Sequence, residues 1–188
     1  MTTLGYALLG VLARGPASGY DLSRQLQAPI GFFWRARHSQ IYPELARLES
    51  QGHVTHEVVT QQDHPDKKVY TITAEGQAAL RQWATEPVDA AVVRDEFLLK
   101  TYCLWLADPA AALALFRDHE RVHAEQLRVY QDLRQQLEQK GREAISQRDS
   151  PWFATYITLR RGIGYEQEYL AWCRWVIELL EQPEQGVV

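Results

Sequence analysis

The sequence has few cysteines, a single methionine and no long apolar segment. Among its 188 residues there are two cysteines and one methionine. No apolar run approaches the roughly 20 residues that a membrane-spanning helix needs, so no membrane partner is expected. The first residues, MTTLGYALLGVLARG, lack the basic region that opens a signal peptide. Cys103 and Cys173 lie in helical patterns, where we expect buried free thiols and a reducing cytoplasmic location.

Recognisable catalytic motifs are scarce as well. No G-x-S-x-G elbow occurs, and the string RRGIGYE lacks the lysine and the preceding strand of a phosphate-binding loop. Neither cysteine has a histidine near it in the sequence. We therefore expect no cofactor and no enzymatic activity.

The string HERVH is the one exception. It matches H-E-x-x-H, which on a helix places two histidines, His119 and His123 here, for a zinc ion and a glutamate as general base. The longer metzincin pattern fails, because Gln126 and Val129 occupy the positions of its glycine and third histidine. Glu143, a conceivable third ligand, lies beyond the end of the helical pattern. A zinc-dependent peptidase remains an alternative function, and metal binding by the two histidines remains open.

The chain also lacks an overall positive charge, yet positive charge is concentrated locally. It has 20 Lys+Arg against 24 Asp+Glu, a net charge of -4. Residues 1–86 carry 8 of each sign, whereas residues 87–188 carry 12 basic and 16 acidic residues. Between Arg24 and Arg47, four arginines face a single acid, Glu44. A basic stretch in an otherwise neutral region favours binding to a polyanion.

The first part of the chain is predicted to begin with three helices. The string LGYALLGVLARG has apolar residues at helical spacing and ends at a Gly-Pro pair. Ser18 followed by Asp21 predicts the N-cap of a second helix. Ser39 is predicted to cap a third helix that ends at Gly52. Its predicted buried stripe consists of Ile41, Leu45 and Leu48.

After the third helix the apolar period changes to two. The strings VTHEVVTQQ and KKVYTIT are rich in β-branched residues and flank the turn-forming cluster DHPD, which predicts a β-hairpin. Thr73 is predicted to cap a fourth helix from about Ala74 to Trp83. Three helices followed by a two-stranded wing form the winged variant of the helix-turn-helix. In the helix-turn-helix, the recognition helix enters the major groove of DNA.

The predicted third helix and the wing carry the candidate DNA contacts. Gln40 and Arg47 bear donors that read base edges, while the basic residues just before the helix suit phosphate contacts. Lysines at the start of the second strand suit the neighbouring backbone or minor groove. An ordinary amphipathic helix is the alternative, but the charge cluster and the wing together favour double-stranded DNA. The predicted contact residues are Arg35, Arg37, His38, Ser39, Gln40, Tyr42, Pro43, Arg47, Lys67 and Lys68.

The second part of the chain is predicted to be helical. A linker from Pro87 leads into a helix to about Ala107, and a long helix runs from Pro109 to about Lys140. A last helix begins near Trp152. Apolar stripes follow both long helices, one with the spacing of a coiled coil. We predict that a second copy covers them, with an intramolecular antiparallel hairpin as the alternative. The stripes comprise Leu113, Phe116, Glu120, His123, Leu127, Tyr130, Arg134 and Leu137, then Trp152, Tyr156, Leu159, Ile163, Leu170, Cys173, Ile177 and Leu180.

Several strings resemble a known family. LGYALLGVLARGPASGYDL, SQIYPELARLESQGHV and KKVYTITAEGQAAL resemble the winged-helix signature of PadR-like transcriptional regulators. RDEFLLKTYCLWLADP and LRRGIGYEQEYLAW resemble the virulence-activator-like helical C-terminal domain of one branch. The resemblance implies a cytoplasmic bacterial homodimer that binds a pseudo-palindromic operator, most often as a repressor.

Aromatic residues are concentrated in the helical part, where most are expected to pack against one another. A sharper hypothesis is a cavity that accepts a flat hydrophobic effector, as the resemblance to regulators of phenolic compounds suggests. The residues predicted for such a site are Trp105, Trp152 and Tyr156.

The sequence thus predicts a mostly α-helical chain of two domains. Residues 1–86 form a winged-helix DNA-binding domain, and residues 87–188 form a long-helix dimerisation domain with a possible effector site. The predicted function is that of a DNA-binding transcriptional regulator. Two alternatives from other classes are the zinc peptidase and a coiled-coil interaction module that does not bind DNA.

Overall fold

In a computed structural model, the chain divides into two compact units, 1–89 and 90–188. The division falls in the same segment as the predicted domain boundary, after the fourth helix of the chain. Within the part of the chain that is described, no helix is long and apolar enough to cross a membrane. The structure describes residues 1–27, 37–60, 66–89, 94–139 and 141–182.

The first unit is a winged helix. Its three strands form one antiparallel sheet in the order β1-β3-β2. The predicted wing had only two strands, since β1 is two residues long and too short to show a period of two. In the sheet, Ala17 pairs with Tyr70 and Ser18 with Val69. The elements are α1 (Thr3–Leu12), β1 (Ala17–Ser18), α2 (Gly19–Gln27), α3 (His38–Ser50), β2 (Val54–Val59), β3 (Lys67–Ile72) and α4 (Ala74–Trp83).

The core of this unit is built around α1, which packs against α2, α3 and α4. Each large aliphatic side chain buried there contributes about 1.5–3 kcal/mol of transfer free energy. The ring of Tyr6 stacks on Trp83 with centroids 4.4 Å apart, which joins α1 to the end of α4. The predicted stripe of α3 is confirmed, because Ile41, Leu45 and Leu48 are all fully buried.

The helix starts follow the predicted caps in α2 but not in α3. Ser18 Oγ accepts a hydrogen bond from the Asp21 backbone N–H and donates one to its carboxylate, as predicted. Helix α3 begins two residues earlier than predicted, with Arg37 as its N-cap, so the assignment of Ser39 as the cap was wrong. The Gln40 side-chain oxygen accepts from the Arg37 N–H at 3.2 Å, which satisfies a backbone donor that a serine cap leaves unpaired.

A second set of contacts fixes the corner between α3, β2 and α4. Gly52 adopts a φ of 75° directly after α3, the left-handed conformation that commonly ends a helix. Thr73 Oγ1 accepts from the Gly76 N–H at 3.0 Å and donates to the Gly52 carbonyl at 2.7 Å. A Cβ on Gly76 would lie 2.2 Å from the His53 carbonyl oxygen, so only glycine fits there.

The second unit consists of helices. The first predicted helix is shorter than expected, because α5 ends at Tyr102 and a 3-10 turn follows it. Helix α7 was not predicted, whereas both long helices lie close to their predicted bounds. The elements are α5 (Glu96–Tyr102), the 3-10 turn (Leu104–Leu106), α6 (Pro109–Gln139), α7 (Arg142–Ser146) and α8 (Pro151–Glu181).

Helices α6 and α8 pack against each other as an antiparallel pair within the chain. Their apolar stripes meet, with Phe116 and Tyr130 of α6 and Leu159, Ile163 and Cys173 of α8 buried. The intramolecular hairpin is therefore present, and burial of the stripes does not require a partner subunit. Among the described residues, polar pairs bridge the two helices at four positions: Arg117–Glu181 at 2.6 Å, Glu120–Arg174 at 2.7 Å, His123–Glu166 at 2.5 Å and His119–Tyr169 at 3.0 Å.

The two cysteines differ in environment. Both are free thiols, as predicted. Cys173 is fully buried between the long helices, and this burial raises the pKa of its thiol to about 11. The expectation that Cys103 is buried was wrong, because α5 ends just before it and leaves it exposed at the helix terminus.

Replacing Thr73 by alanine is expected to lower the free energy of unfolding by about 1 kcal/mol, because the α4 cap is lost. The measurement is urea denaturation of the full chain. Thr73→Ser keeps the hydroxyl and serves as the matched control, with a midpoint near that of the wild type. An alanine variant with an unchanged midpoint would contradict the assigned cap.

Candidate nucleic-acid interface

The exposed side of α3 is a ridge of small residues. Successive residues of an α-helix turn by about 100°, which places this ridge opposite the buried stripe. Pro43 lacks a backbone N–H, so the usual helical hydrogen bond from residue 43 to the Ser39 carbonyl is missing. A ridge without long side chains lets the helix backbone approach the floor of a groove closely. The ridge consists of Ser39, Pro43, Ala46 and Ser50, all exposed.

Larger side chains stand on the two flanks of this ridge. Gln40 and Arg47 share one flank, while His38 and Tyr42 share the other. The imidazole of His38 meets the Tyr42 ring edge-on, with centroids 5.3 Å apart. A Cβ on Gly19 would lie 2.6 Å from Tyr42 Cε1, so the start of α2 supports the tyrosine ring closely. Gln40 and Arg47, which the sequence proposes as readers of base edges, thus lie at the edge of the exposed face and not at its centre.

Arg47 is held by its own protein. Its Nη2 lies 2.5 Å from Glu44 Oε1, and its Nε donates to Glu44 Oε2 at 3.1 Å. Nη2 also donates to Thr2 Oγ1 at the start of α1, at 3.2 Å. The Thr2 hydroxyl in turn donates to Glu44 Oε1 at 2.5 Å. These contacts join the first turn of α1 to the flank of α3.

Glu44 is a functional candidate that the sequence analysis missed. In the sequence Glu44 stands out only as the one acid in a basic stretch, yet in the structure it is 8% exposed. Its position could have revealed it, because it falls on the buried stripe between Ile41 and Leu48. Burial alone would raise its pKa, but hydrogen bonds from Arg47 and Thr2 outweigh burial and lower the pKa below the usual value. Glu44 is therefore an ionised, paired carboxylate at neutral pH.

The remaining predicted contacts lie at the ends of α3 and of the wing. Arg37 and His38 are exposed at the start of α3. Lys67 and Lys68 are exposed at the start of β3, opposite Val59 and Val58 of β2. Arg35 and the centre of the predicted wing turn lie outside the described residues.

Three of the five HERVH side chains, His119, Glu120 and His123, have partners on α8. His119 also contacts α5, since its ring stacks on that of Phe97 with centroids 3.5 Å apart. No three His, Cys, Asp or Glu side chains of the described ranges are grouped so that they could hold a metal ion. The motif thus serves helix packing. His119 Nδ1 lies 3.0 Å from Tyr169 Oη, His123 Nδ1 lies 2.5 Å from Glu166 Oε2, and Glu120 accepts from Arg174 Nε.

The sequence predicted that aromatic residues of the helical part pack against one another, and they do so around Phe97, which was not named in advance. The signal was present, because aromatic residues and histidines recur at helical spacing on α6 and α8. Burial raises the pKa of Tyr169 far above its usual range and lowers the pKa of His119. The cluster is therefore neutral and joins α5 to both long helices. Its members are Phe97, Phe116, His119, Tyr169 and Trp172.

The three residues predicted for an effector site are separated within one chain. Trp152 and Tyr156 lie one turn apart at the start of α8, and Trp152 is 38% exposed. Trp105 is 80% exposed and follows Leu104, which packs on the same buried cluster as Trp172. Trp172 lies roughly 30 Å along a straight helix from Trp152. Trp105 thus lies far from Trp152 and Tyr156 within one chain, and the effector role of each residue stays a prediction.

Comparisons with known proteins agree with this architecture. Residues 8–82 match the transcriptional regulator PadR-like family, and residues 93–181 match the family described as virulence activator alpha C-term. The negative transcriptional regulator PadR of Bacillus subtilis is 33% identical over 184 residues, which cover 97% of this chain and 100% of that protein.

Solved structures of the same regulator are also similar. The crystal structure of Bacillus subtilis PadR with operator DNA has a TM-score of 0.84 and 31% identity, covering 96% of this chain and 100% of that one. The structure of that protein with p-coumaric acid has a TM-score of 0.77 and 30% identity, with the same coverage. Two matched regions and a full-length relative lead to one conclusion: the chain belongs to the PadR-like family of transcriptional regulators.

Proposed function

We propose that the chain is a homodimeric transcriptional repressor that binds a pseudo-palindromic operator and is released by a small aromatic effector. The observation that carries the proposal is the exposed side of α3, where a ridge of small residues is flanked by hydrogen-bond donors. The same unit is similar in fold and sequence to a regulator whose structure was solved with operator DNA. Such a regulator acts on DNA, so we place it in the bacterial cytoplasm.

In the proposed complex, α3 lies in the major groove with its small ridge towards the bases. Gln40 uses its carbonyl oxygen to cap the helix, which leaves its amide N–H donors for a base edge. Arg37 and His38 stand at the helix N-terminus, where positive charge and backbone N–H groups favour phosphate. Lys67 and Lys68 reach the neighbouring backbone from the wing.

The proposed dimer is supported by exposed apolar residues of the helical unit. Since α6 and α8 cover most of each other's stripes, a second copy is proposed to bury exposed apolar residues outside them. A group of neighbouring exposed apolar residues commonly marks a protein interface, whereas single exposed apolar residues are ordinary. A two-fold dimer presents two α3 helices, which is the geometry that a palindromic operator requires. The patch consists of Leu98, Leu99, Tyr102, Trp105 and Leu106, each at least half exposed.

The proposal assigns the chain no reaction. The three chemically suggestive side chains of HERVH are engaged with partners on α8, which leaves the peptidase alternative without a supporting observation. The interaction-module alternative differs in one respect that can be tested directly. It predicts that the winged unit does not bind DNA. The proposed function instead predicts duplex binding whose affinity falls steeply as the salt concentration rises, because the protein contacts phosphates.

Replacing Lys67 and Lys68 by alanine is expected to weaken binding to all duplexes alike. Each lost phosphate contact lowers the slope of log affinity against log salt by about 0.9. The measurement is fluorescence anisotropy with the full chain at several salt concentrations. Arg81→Ala, which removes an exposed cation of α4 in the same unit, is the control and should leave the slope unchanged. Wild-type affinity and slope in the lysine variant would show that the wing does not contact DNA.

Replacing Leu99 and Trp105 together by glutamate is expected to give a monomer. Burying these charges at an apolar interface is unfavourable, so dimers dissociate and operator affinity falls because two half-sites are no longer read as one. Analytical ultracentrifugation measures the change. Val58→Glu, at a comparably exposed apolar residue of the wing, should remain dimeric. A dimeric double variant would place the interface elsewhere.

The effector part of the proposal rests on the relative that was solved with p-coumaric acid. Adding p-coumaric acid to the protein–operator complex is expected to lower the DNA affinity. Cyclohexanecarboxylic acid, which carries the acid group without the aromatic ring, is the control and should have little effect. Equal effects of both acids would exclude a site for flat aromatic ligands.

A further inference from the structure

The ring of Tyr42 lies across the start of α2, where only a glycine leaves room for it. A Cβ on Gly19 would lie 2.6 Å from Tyr42 Cε1, 3.1 Å from Cζ and 3.3 Å from Cδ1. Non-bonded carbon atoms prefer separations of about 3.5–4.0 Å, so even an alanine at position 19 would displace the ring. Gly19 is the first residue of α2 and does not have a positive φ. Glycine is therefore needed there for space and not for backbone conformation.

The hydroxyl end of the Tyr42 ring is turned towards the sheet. Cζ, which carries the hydroxyl, is among the ring atoms nearest to Gly19, and Gly19 directly follows strand β1. Tyr70 of β3 is buried and pairs with Ala17 of β1. Burial raises the pKa of Tyr70, and the charges of Glu49 and Tyr42 raise it further. The Tyr42 hydroxyl is thus close enough to β3 to interact with it electrostatically.

The rest of the ring is open to solvent beside the ridge of α3. Tyr42 is 46% exposed although one part of its ring lies against Gly19. His38, one turn earlier on α3, contacts the ring edge-on, and together with Gly19 it restricts how the ring can rotate. This flank of α3 therefore presents an apolar ring surface in a defined position.

The chemistry of the major groove identifies what such a surface can recognise. Among the groups on the base edges that distinguish the four base pairs there, only the C5 methyl of thymine is apolar. An exposed apolar ring beside the helix that enters the groove matches this methyl group. A tyrosine can also contact a phosphate through its hydroxyl, but the hydroxyl end of Tyr42 is turned towards β3.

We propose that Tyr42 determines specificity by contacting the methyl group of one thymine in each operator half-site, and that Gly19 is the positioning residue for its ring. Thymine is then recognised by van der Waals contact with the ring and not by the hydroxyl. This inference rests on the proposed function, because it requires α3 to enter the major groove.

The experiment removes single methyl groups from the DNA. The full-length wild type first selects duplexes from a library with a randomised centre. Each thymine of one selected half-site is then replaced in turn by deoxyuridine, which lacks only the C5 methyl. Fluorescence anisotropy gives the ratio of the affinities for the thymine and deoxyuridine duplexes. Thermal unfolding by circular dichroism reports whether each variant is folded.

The variants are Tyr42→Ala, Tyr42→Phe and Gly19→Ala, with Gly10→Ala as the matched control. Gly10 is also a helical glycine of the winged unit, but a Cβ added to it would meet open space. Its alanine variant therefore tests the effect of a glycine replacement that displaces no side chain.

In the wild type, replacing one particular thymine is expected to weaken binding about fourfold, the effect of losing one buried methyl group. Tyr42→Ala should bind both duplexes equally, whereas Tyr42→Phe should keep the wild-type ratio because the hydroxyl is not used. Gly19→Ala should bring the ratio close to one, since its methyl group displaces the ring, and Gly10→Ala should leave the ratio unchanged. A merely structural role of Tyr42 or Gly19 would alter the affinity for both duplexes alike and leave the ratio as it is.

Three results would overturn the reading of thymine by Tyr42. The first is a wild type for which no thymine is sensitive to loss of its methyl group, and the second is a folded Tyr42→Ala variant with the wild-type ratio. The third is a Tyr42→Phe variant that binds both duplexes as weakly as Tyr42→Ala, which would assign the contact to the hydroxyl and a phosphate.

The role of Gly19 is tested separately. A Gly19→Ala variant with the wild-type ratio would show that Gly19 does not position the ring. If Tyr42→Ala does not fold, the ratios of Gly19→Ala and Tyr42→Phe decide. A wild type that selects no duplex from the library would instead refute the proposed function, and this would be seen before any variant is compared.

Discussion

The packing of α3 on α1 is the constraint on which the winged unit depends. Ile41, Leu45 and Leu48 are fully buried, so the helix cannot rotate without exposing them. This fixed rotation decides which residues form the exposed ridge and which stand on its flanks. Glu44 adds a polar contact on the same side and joins α3 to the first turn of α1. The surface proposed to meet DNA is therefore set by what the opposite surface buries.

Polar groups have a similar role in the helical unit. An apolar seam between two long helices would tolerate several registers, because leucines are similar to one another along the seam. The His123–Glu166 and Glu120–Arg174 pairs are satisfied in one register only. The stacking of the Phe97 ring on His119 likewise fixes the position of α5 on α6. The HERVH side chains, which resemble a metalloprotease motif in the sequence, thus specify how α6 and α8 align in the fold.

Periodicity in the sequence was sufficient to predict the winged helix, the two long helices and the buried stripe of α3. What it could not predict depends on pairing across distant segments. Strand β1 exists because Ala17 and Ser18 meet β3, and two residues carry no period of their own. The engagement of Arg47 required knowing that Thr2 lies beside it. The long-helix stripes were recognised, but a stripe does not specify whether its partner is in the same chain.

The polar pairs between α6 and α8 also limit how the family can change in length. They run in opposite directions along the two helices, from the Arg117–Glu181 pair to the His123–Glu166 pair. An insertion or deletion within this section of one helix would shift every pair beyond it and leave the buried Glu166 without its histidine. Length changes are therefore tolerated only where they occur in both helices together, or in the connection that contains α7. Evolutionary drift in this unit should appear as paired elongation or shortening at the closed end of the hairpin.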